Sequence, residues 1–235
     1  MNDKLNTYGF GNSAAGVTDV AVRNRVLRNT YWLLAISMIP TVLGAWIGVA
    51  AGFAGLVAGS PGMSAILFLA VAFGFMFAIE KTKNSSMGVV LLLAFTFFMG
   101  LMLARILSLT LSYSNGPALI MYAFGGTAAV FGVMASIATV SKRDFSGLAK
   151  FLFVGVVLLI LAGIANIWLQ MPALMITLSV IAIAIFSIFI LIDVQRVVNG
   201  GETNYITATL AIYLDVYNVF VNLLALLGIF GGNRD

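Results

Sequence analysis

The chain has 235 residues, of which 62% are apolar and 9% charged, against about 25% charged in soluble domains. It holds no cysteine and no histidine, which excludes disulfide scaffolding, thiolate and imidazole chemistry, and the usual physiological pH switch. The net charge of +4 is not a nucleic-acid footprint, because the basic residues sort along the chain as they do in a polytopic membrane protein.

Residues 1–29 are polar and carry Gly, Asn and Ser, with no short apolar core ahead of a small-residue cleavage site. They read as a flexible cytoplasmic tail preceding one membrane domain over residues 30–235. Seven apolar stretches follow, each near the roughly 20 residues a spanning helix needs. They run over Thr30–Ala50, Pro61–Ile79, Met87–Leu107, Pro117–Val140, Leu148–Leu169, Ala173–Ile192 and Ile206–Phe230. Punctuation between them is strong at Gly59-Ser60-Pro61-Gly62, at Ser112 to Pro117 and at Gln170-Met171-Pro172. In Gly200-Gly201-Glu202-Thr203-Asn204, glycines can stop one helix and Thr203 or Asn204 can cap the next.

Orientation follows from lysine and arginine. Lys4, Arg23, Arg25 and Arg28 precede the first span; Lys81 and Lys83, then Lys142, Arg143 and Lys150, then Arg196 fall in the second, fourth and sixth connections. Ten of the twelve basic residues therefore share one side, leaving Arg105 and Arg234. The expectation is an inside N-terminus and an outside C-terminus. Arg105 reads as an interfacial anchor whose stem snorkels to the headgroups, or as a counter-ion turned into the bundle. Glu80 reads as an ion-pair partner of the neighbouring lysines. Glycines at four-residue spacing (Gly44, Gly48 and Gly52; Gly55 and Gly59) suit close helix packing within the chain.

Asp193 and Asp215 stand out. A carboxylate in hydrocarbon costs about 2.5–3.5 kcal/mol on insertion scales, so an acid there is a functional-site hypothesis. If the sixth helix ends near Asn199 and the seventh starts near Asn204, the two acids lie about 9 and 16 Å inside their helices, at 1.5 Å per residue. The short connection makes these helices neighbours, and two apposed carboxyls are costly to ionise together. With no histidine present, the pair is the main candidate for intramembrane pH sensing. Two plainer readings stay open: a neutral Asp bonded across helices, or Asp193 paired with Arg196. The same acids, with Asn218 three residues after Asp215 and Tyr213, Tyr217 and Asn222 around the helix, form at most a weak, transient calcium site, because hard cations want more oxygens. Enzyme readings fail on inventory: no Cys/His or Ser/His constellation, no zinc motif, no phosphate loop and no intramembrane aspartyl protease motif. No inverted repeat or matching pair of broken spans points to a secondary transporter.

From about Val26 onward the chain resembles the Bax inhibitor-1 family, and within it the bacterial YccA-like branch. The likeness rests on Val26-Leu27-Arg28-Asn29-Thr30-Tyr31, Ala165 to Leu174, Asp193-Val194-Gln195, Gly200 to Ile206 and Tyr213 to Phe220. It implies seven transmembrane helices, six surrounding a central C-terminal seventh, in a bacterial inner membrane. It implies an aspartate pair, matching Asp193 and Asp215, as the pH-responsive gate of a calcium leak. For the YccA-like branch it implies binding to, and restraint of, the membrane-bound ATP-dependent protease FtsH, with no cofactor. The chain departs from the leak-type pattern at two points. That pattern has an acid within the second helix, where Pro61–Ile79 has none. It also has an arginine at that helix's end, where Thr82 stands between Lys81 and Lys83.

Overall fold

The computed structural model describes residues 11–53, 55 and 61–233, with residues 11–20 and Pro61 as backbone only. Lys4, Gly59 and Arg234 lie outside the described residues. The apolar runs fold as seven long helices: α1 (Gly11–Ala50), α2 (Pro61–Thr82), α3 (Ser86–Leu111), α4 (Gly116–Val140), α5 (Ala149–Leu169), α6 (Pro172–Val198) and α7 (Tyr205–Gly231), with a 3-10 turn at Ser146–Leu148 before α5. Each is long and apolar enough to cross a bilayer. Helices suit that setting because they satisfy their own backbone polar groups.

The helix ends follow the expected chemistry. Pro117 and Pro172 occupy first-turn positions of α4 and α6, where a missing N–H is harmless. Gly200 takes a left-handed φ of 78° just beyond α6. Asn204 caps α7, its side chain accepting from the N–H groups of Ile206 and Thr207. The first helix differs from the sequence reading. It starts at Gly11, so residues 11–29 are helical, and Val26 is buried against Val197 and Ala208. The contact of Val26 rests on an apolar surface of α6 and α7 that the local sequence does not reveal.

The C-terminal helix α7 packs against α1, α2, α3, α4 and α6. Its Ile206, Leu210, Ile212, Tyr213 and Val219 join Leu92, Phe95 and Ile190 in the main core. Helix α5 packs on α6 and the edge of α2 and has no buried residue. Helices α1 and α3 come closest together. A Cβ on Gly44 would collide with the carbonyl of Phe97, and one on Gly100 with the carbonyl of Thr41. Gly44 and Gly48 thus serve packing of α1 on α3, whereas a Cβ on Gly52 or Gly55 would meet nothing within 4 Å, so the four-residue spacing carries packing over only part of its length. At the far end of the bundle, Asn115 ties α4 to α7 by donating to the carbonyl of Gly231 at 2.6 Å. Large apolar side chains such as Trp32, Trp46, Phe151 and Phe230 are exposed around the flanks, the surface a bilayer would cover.

A paired-carboxyl site between α6 and α7

The site starts from the connection over residues 199–204. Gly200 turns the chain, and the N–H groups of Gly201 and Glu202 donate to the carbonyl of Arg196 at 2.8 and 3.1 Å. Asn204 then starts α7 and donates its amide to the carbonyl of Lys83 at 2.9 Å and to Asn84 at 3.0 Å, fastening the connection to the α2–α3 loop. This short, pinned hairpin sets the register of α6 against α7. As a result, the side chains of Asp193 and Asp215 come close enough to interact. Two ionised carboxylates can only accept, so a direct hydrogen bond between them requires a shared proton.

The two acids have different surroundings. Asp215 is 5% exposed, and its Oδ2 has no hydrogen-bond partner. Asp193 lies nearer the helix end, where its Oδ1 is 3.4 Å from the guanidinium of Arg196. Of the two plainer sequence readings, the ion pair of Asp193 with Arg196 is present in the structure. In a buried setting, a carboxyl oxygen without a partner is a destabilising feature, which marks the pair as more than a packing contact.

Of the supporting groups named from sequence, only Arg196 joins the acids. Asn218 turns its amide to the carbonyl of Leu214 at 2.8 Å, and Asn222 does the same to Asn218. Tyr213 points to α1 and α3: its hydroxyl lies 2.9 Å from Thr41 Oγ1 and donates to the Thr96 carbonyl at 3.4 Å. Tyr217 donates to the Met99 carbonyl at 3.1 Å. Lys83 pairs with Glu80, as expected, while Lys81 sits over the Phe77 ring. Arg105 is far from the acids, lining a cavity with Ser64 and Asn166 at the other end of the bundle. Among the described residues no group of three or more Asp, Glu, His or Cys side chains gathers. Two carboxyls fall well short of the six to eight oxygens calcium prefers.

A family model described as "Inhibitor of apoptosis-promoting Bax1" matches residues 23–232. The chain belongs to the Bax1-I family. It is 38% identical over 211 residues to "Modulator of FtsH protease YccA" of Escherichia coli K12, covering 90% of this chain and 93% of that one. The same identity and coverage hold for "Inner membrane protein YccA" of Escherichia coli O6:H1. An "Uncharacterized membrane protein" of Vibrio cholerae is 37% identical over 210 residues, covering 89% of this chain and 92% of its own length.

In this Bax1-I chain two loops are fastened to the helices that carry the acids, through Gln195 of α6 and Asn204 at the start of α7. Gln195, two residues from Asp193 and 3% exposed, accepts from the N–H of Phe145 at 2.9 Å and donates to the carbonyl of Arg143 at 2.7 Å. The basic α4–α5 loop thereby hangs from α6 beside the acids. Within the loop, Asp144 accepts from the N–H and hydroxyl of Ser146, which hold its carboxyl below the ordinary range. Beyond α2, the Glu80 carboxylate holds the Lys83 ammonium above its ordinary range. The signal for Gln195 was present in the sequence as a polar residue within an apolar helix end, but its partners lie about 50 residues upstream and only the packing of α4 on α6 joins them.

Proposed function

We propose that this protein is a bacterial inner-membrane modulator of the FtsH-type ATP-dependent membrane protease. The observation that carries this reading is the near end-to-end similarity, at 38% identity, to the relative named for that role. In this reading the N-terminus and the basic connections face the cytoplasm and the C-terminus faces outward, in line with the distribution of lysine and arginine. Six helices surround α7, an arrangement supported by its contacts with five of them. The residues ahead of the first span are the handle that the protease grips, and the loops fastened to α6 and α7 through Gln195 and Asn204 are the surface it meets. Co-purification from native membranes tests the proposal. The protease should be enriched with the tagged chain, and overexpression should slow turnover of its membrane substrates. Absence of both effects would overturn it.

The apposed acids favour a second reading, a pH-sensitive cation leak in which Asp193 and Asp215 act as the gate and calcium is cargo held only transiently. The partnerless Oδ2 of Asp215 supports it. In liposomes loaded with a calcium reporter, the wild-type chain should pass calcium in a pH-dependent manner, and Asp215→Asn should remove that dependence. Flux equal to that of empty liposomes would end this reading and leave the first intact.

A further inference from the structure

At the end of the bundle opposite the acid pair, a cavity of about 630 Å³ opens between α2, α3 and the α5–α6 connection. Its lining is of two chemical kinds: apolar side chains, Phe68, Met102 and Met175 among them, and a polar half made of Ser64, Arg105, Asn166 and Gln170. Arg105 makes neither an ion pair nor a hydrogen bond among the described residues, whose two ion pairs are Lys83–Glu80 and Arg196–Asp193. Among the described residues no carboxylate lines the cavity. Arg105 is thus an exposed guanidinium without a described counter-ion beside an apolar lining.

The rest of the polar half also presents donors. Asn166 spends its carbonyl oxygen on the N–H of Met171 at 3.0 Å, leaving its NH2 group to donate. Gln170 is the single non-glycine residue with positive φ, 50°, among the described residues. That left-handed turn is held by its own N–H on the Asn166 carbonyl at 2.9 Å, and such strained positions collect at ligand clamps. Helix α6 starts here without a side-chain cap, so its first-turn N–H groups and positive dipole end add to the same field. Met63, Ile66, Trp168 and Met171 around the mouth are exposed, which makes the opening continuous with the apolar flank of the bundle.

We propose that this cavity binds one anionic phospholipid, its phosphate on Arg105 and the Asn166 and Gln170 amides and one acyl chain along Phe68, Met102 and Met175. A free phosphate uses only the polar groups, and a zwitterionic lipid sets its own cation beside Arg105; an anionic amphiphile matches both the polar and the apolar lining. The site is separate from the acid pair and stands whichever function above holds.

The test is native mass spectrometry of the delipidated full chain titrated with phosphatidylglycerol or phosphatidylcholine. Wild type should retain one phosphatidylglycerol several-fold more strongly than phosphatidylcholine. Arg105→Gln should weaken that binding about tenfold or more, the scale of a lost charge-assisted hydrogen bond, and Arg105→Lys should keep most of it. Ala65→Trp, which fills the cavity while leaving the charge, should also lose the lipid. Melting temperature and elution volume report whether each variant is folded. If Arg105→Gln does not fold, the two lipids on wild type and the Ala65→Trp chain decide the matter. Equal retention of both lipids, wild-type binding by Arg105→Gln or Ala65→Trp, or full displacement by millimolar inorganic phosphate would overturn the proposal.

Discussion

Tyr213 and Asp215 lie two residues apart on α7 and hold that helix from opposite sides. The Tyr213 hydroxyl meets Thr41 of α1, while the Asp215 carboxyl meets Asp193 of α6. Two residues advance a helix by about 200°, so one turn of α7 is clamped between α1 and α6. Tyr213→Phe and Thr41→Val should each destabilise the bundle by about 0.5–1.5 kcal/mol. Because Thr41 also bonds the Ser37 carbonyl and Tyr213 the Thr96 carbonyl, their coupling in a double-mutant cycle should be near the average of about 0.6 kcal/mol for such membrane pairs. Denaturant unfolding in mixed micelles measures it. Strict additivity of the two substitutions would show that the hydroxyls do not bond.

The carboxyl pair makes a spectroscopic prediction. A shared proton gives a protonated-acid C=O stretch distinct from that of carboxylates, and the folded wild type at neutral pH should display it in the infrared. In Asp215→Asn the amide can donate to Asp193 in place of the proton, so the band should vanish while helix content stays unchanged. A wild-type spectrum without the band would mean that the two acids do not share a proton.

Gly100 tests the tightest helix contact. Its missing side chain leaves room for the Thr41 carbonyl and the Ala45 N–H, both backbone groups of α1, and backbone cannot rotate away as a side chain can. Gly100→Leu should cost at least the 1–3 kcal/mol typical of overpacking and lower the melting temperature. The same change at Gly74, where a Cβ would meet nothing within 4 Å, should leave it nearly unchanged. Similar losses at the two positions would contradict the close α1–α3 approach.

Much of the architecture was readable because hydropathy and punctuation agree. The runs ending at Gly200 and starting at Asn204 gave both helix ends, while counting residues inward put Asp193 and Asp215 about 9 and 16 Å inside their helices, a difference that tilt and side-chain reach must close. Asn218 was misjudged for a local reason: in an apolar helix an asparagine amide first satisfies itself on the carbonyl four residues back, here Leu214. Spacing on a helix face therefore did not predict ligation. Residues 11–29 read as tail because their own pattern is weak, and Val26 is buried only against residues more than 150 positions away. The surroundings of Arg105 could not be foreseen either, since its cavity combines residues from α2, α3, α6 and the α5–α6 connection.

Asp144 supplies a pH prediction outside the spans. Its carboxyl is held below the ordinary value of 3.8 by the Ser146 N–H and hydroxyl. A depressed folded-state value means that the stabilisation is present above 3.8 and is lost as pH falls through the lower, folded value. Amide exchange at Ser146, corrected for its intrinsic pH dependence, should therefore lose protection only below that range, and Asp144→Asn should flatten the profile. Protection lost well above pH 3.8 would assign the effect to another group.

Gln195 offers the most direct test of whether the acid pair and the basic loop move as a unit. Its side chain carries both bonds that fasten the Arg143–Phe145 backbone to α6. Gln195→Leu keeps the apolar bulk and removes both bonds, so it should destabilise the loop by about 1–3 kcal/mol and accelerate amide exchange at Phe145 while leaving the core of α3 protected. Gln195→Glu, while ionised, should keep the link to the Phe145 N–H and lose the one to the Arg143 carbonyl, because a carboxylate can only accept. If the loop passes the state of the acids to a partner, Gln195→Leu should leave the infrared signature of the Asp193–Asp215 pair intact and still weaken co-purification of the protease. Loss of both together would place Gln195 in the support of the acids themselves, and loss of neither would remove the loop from the partner surface.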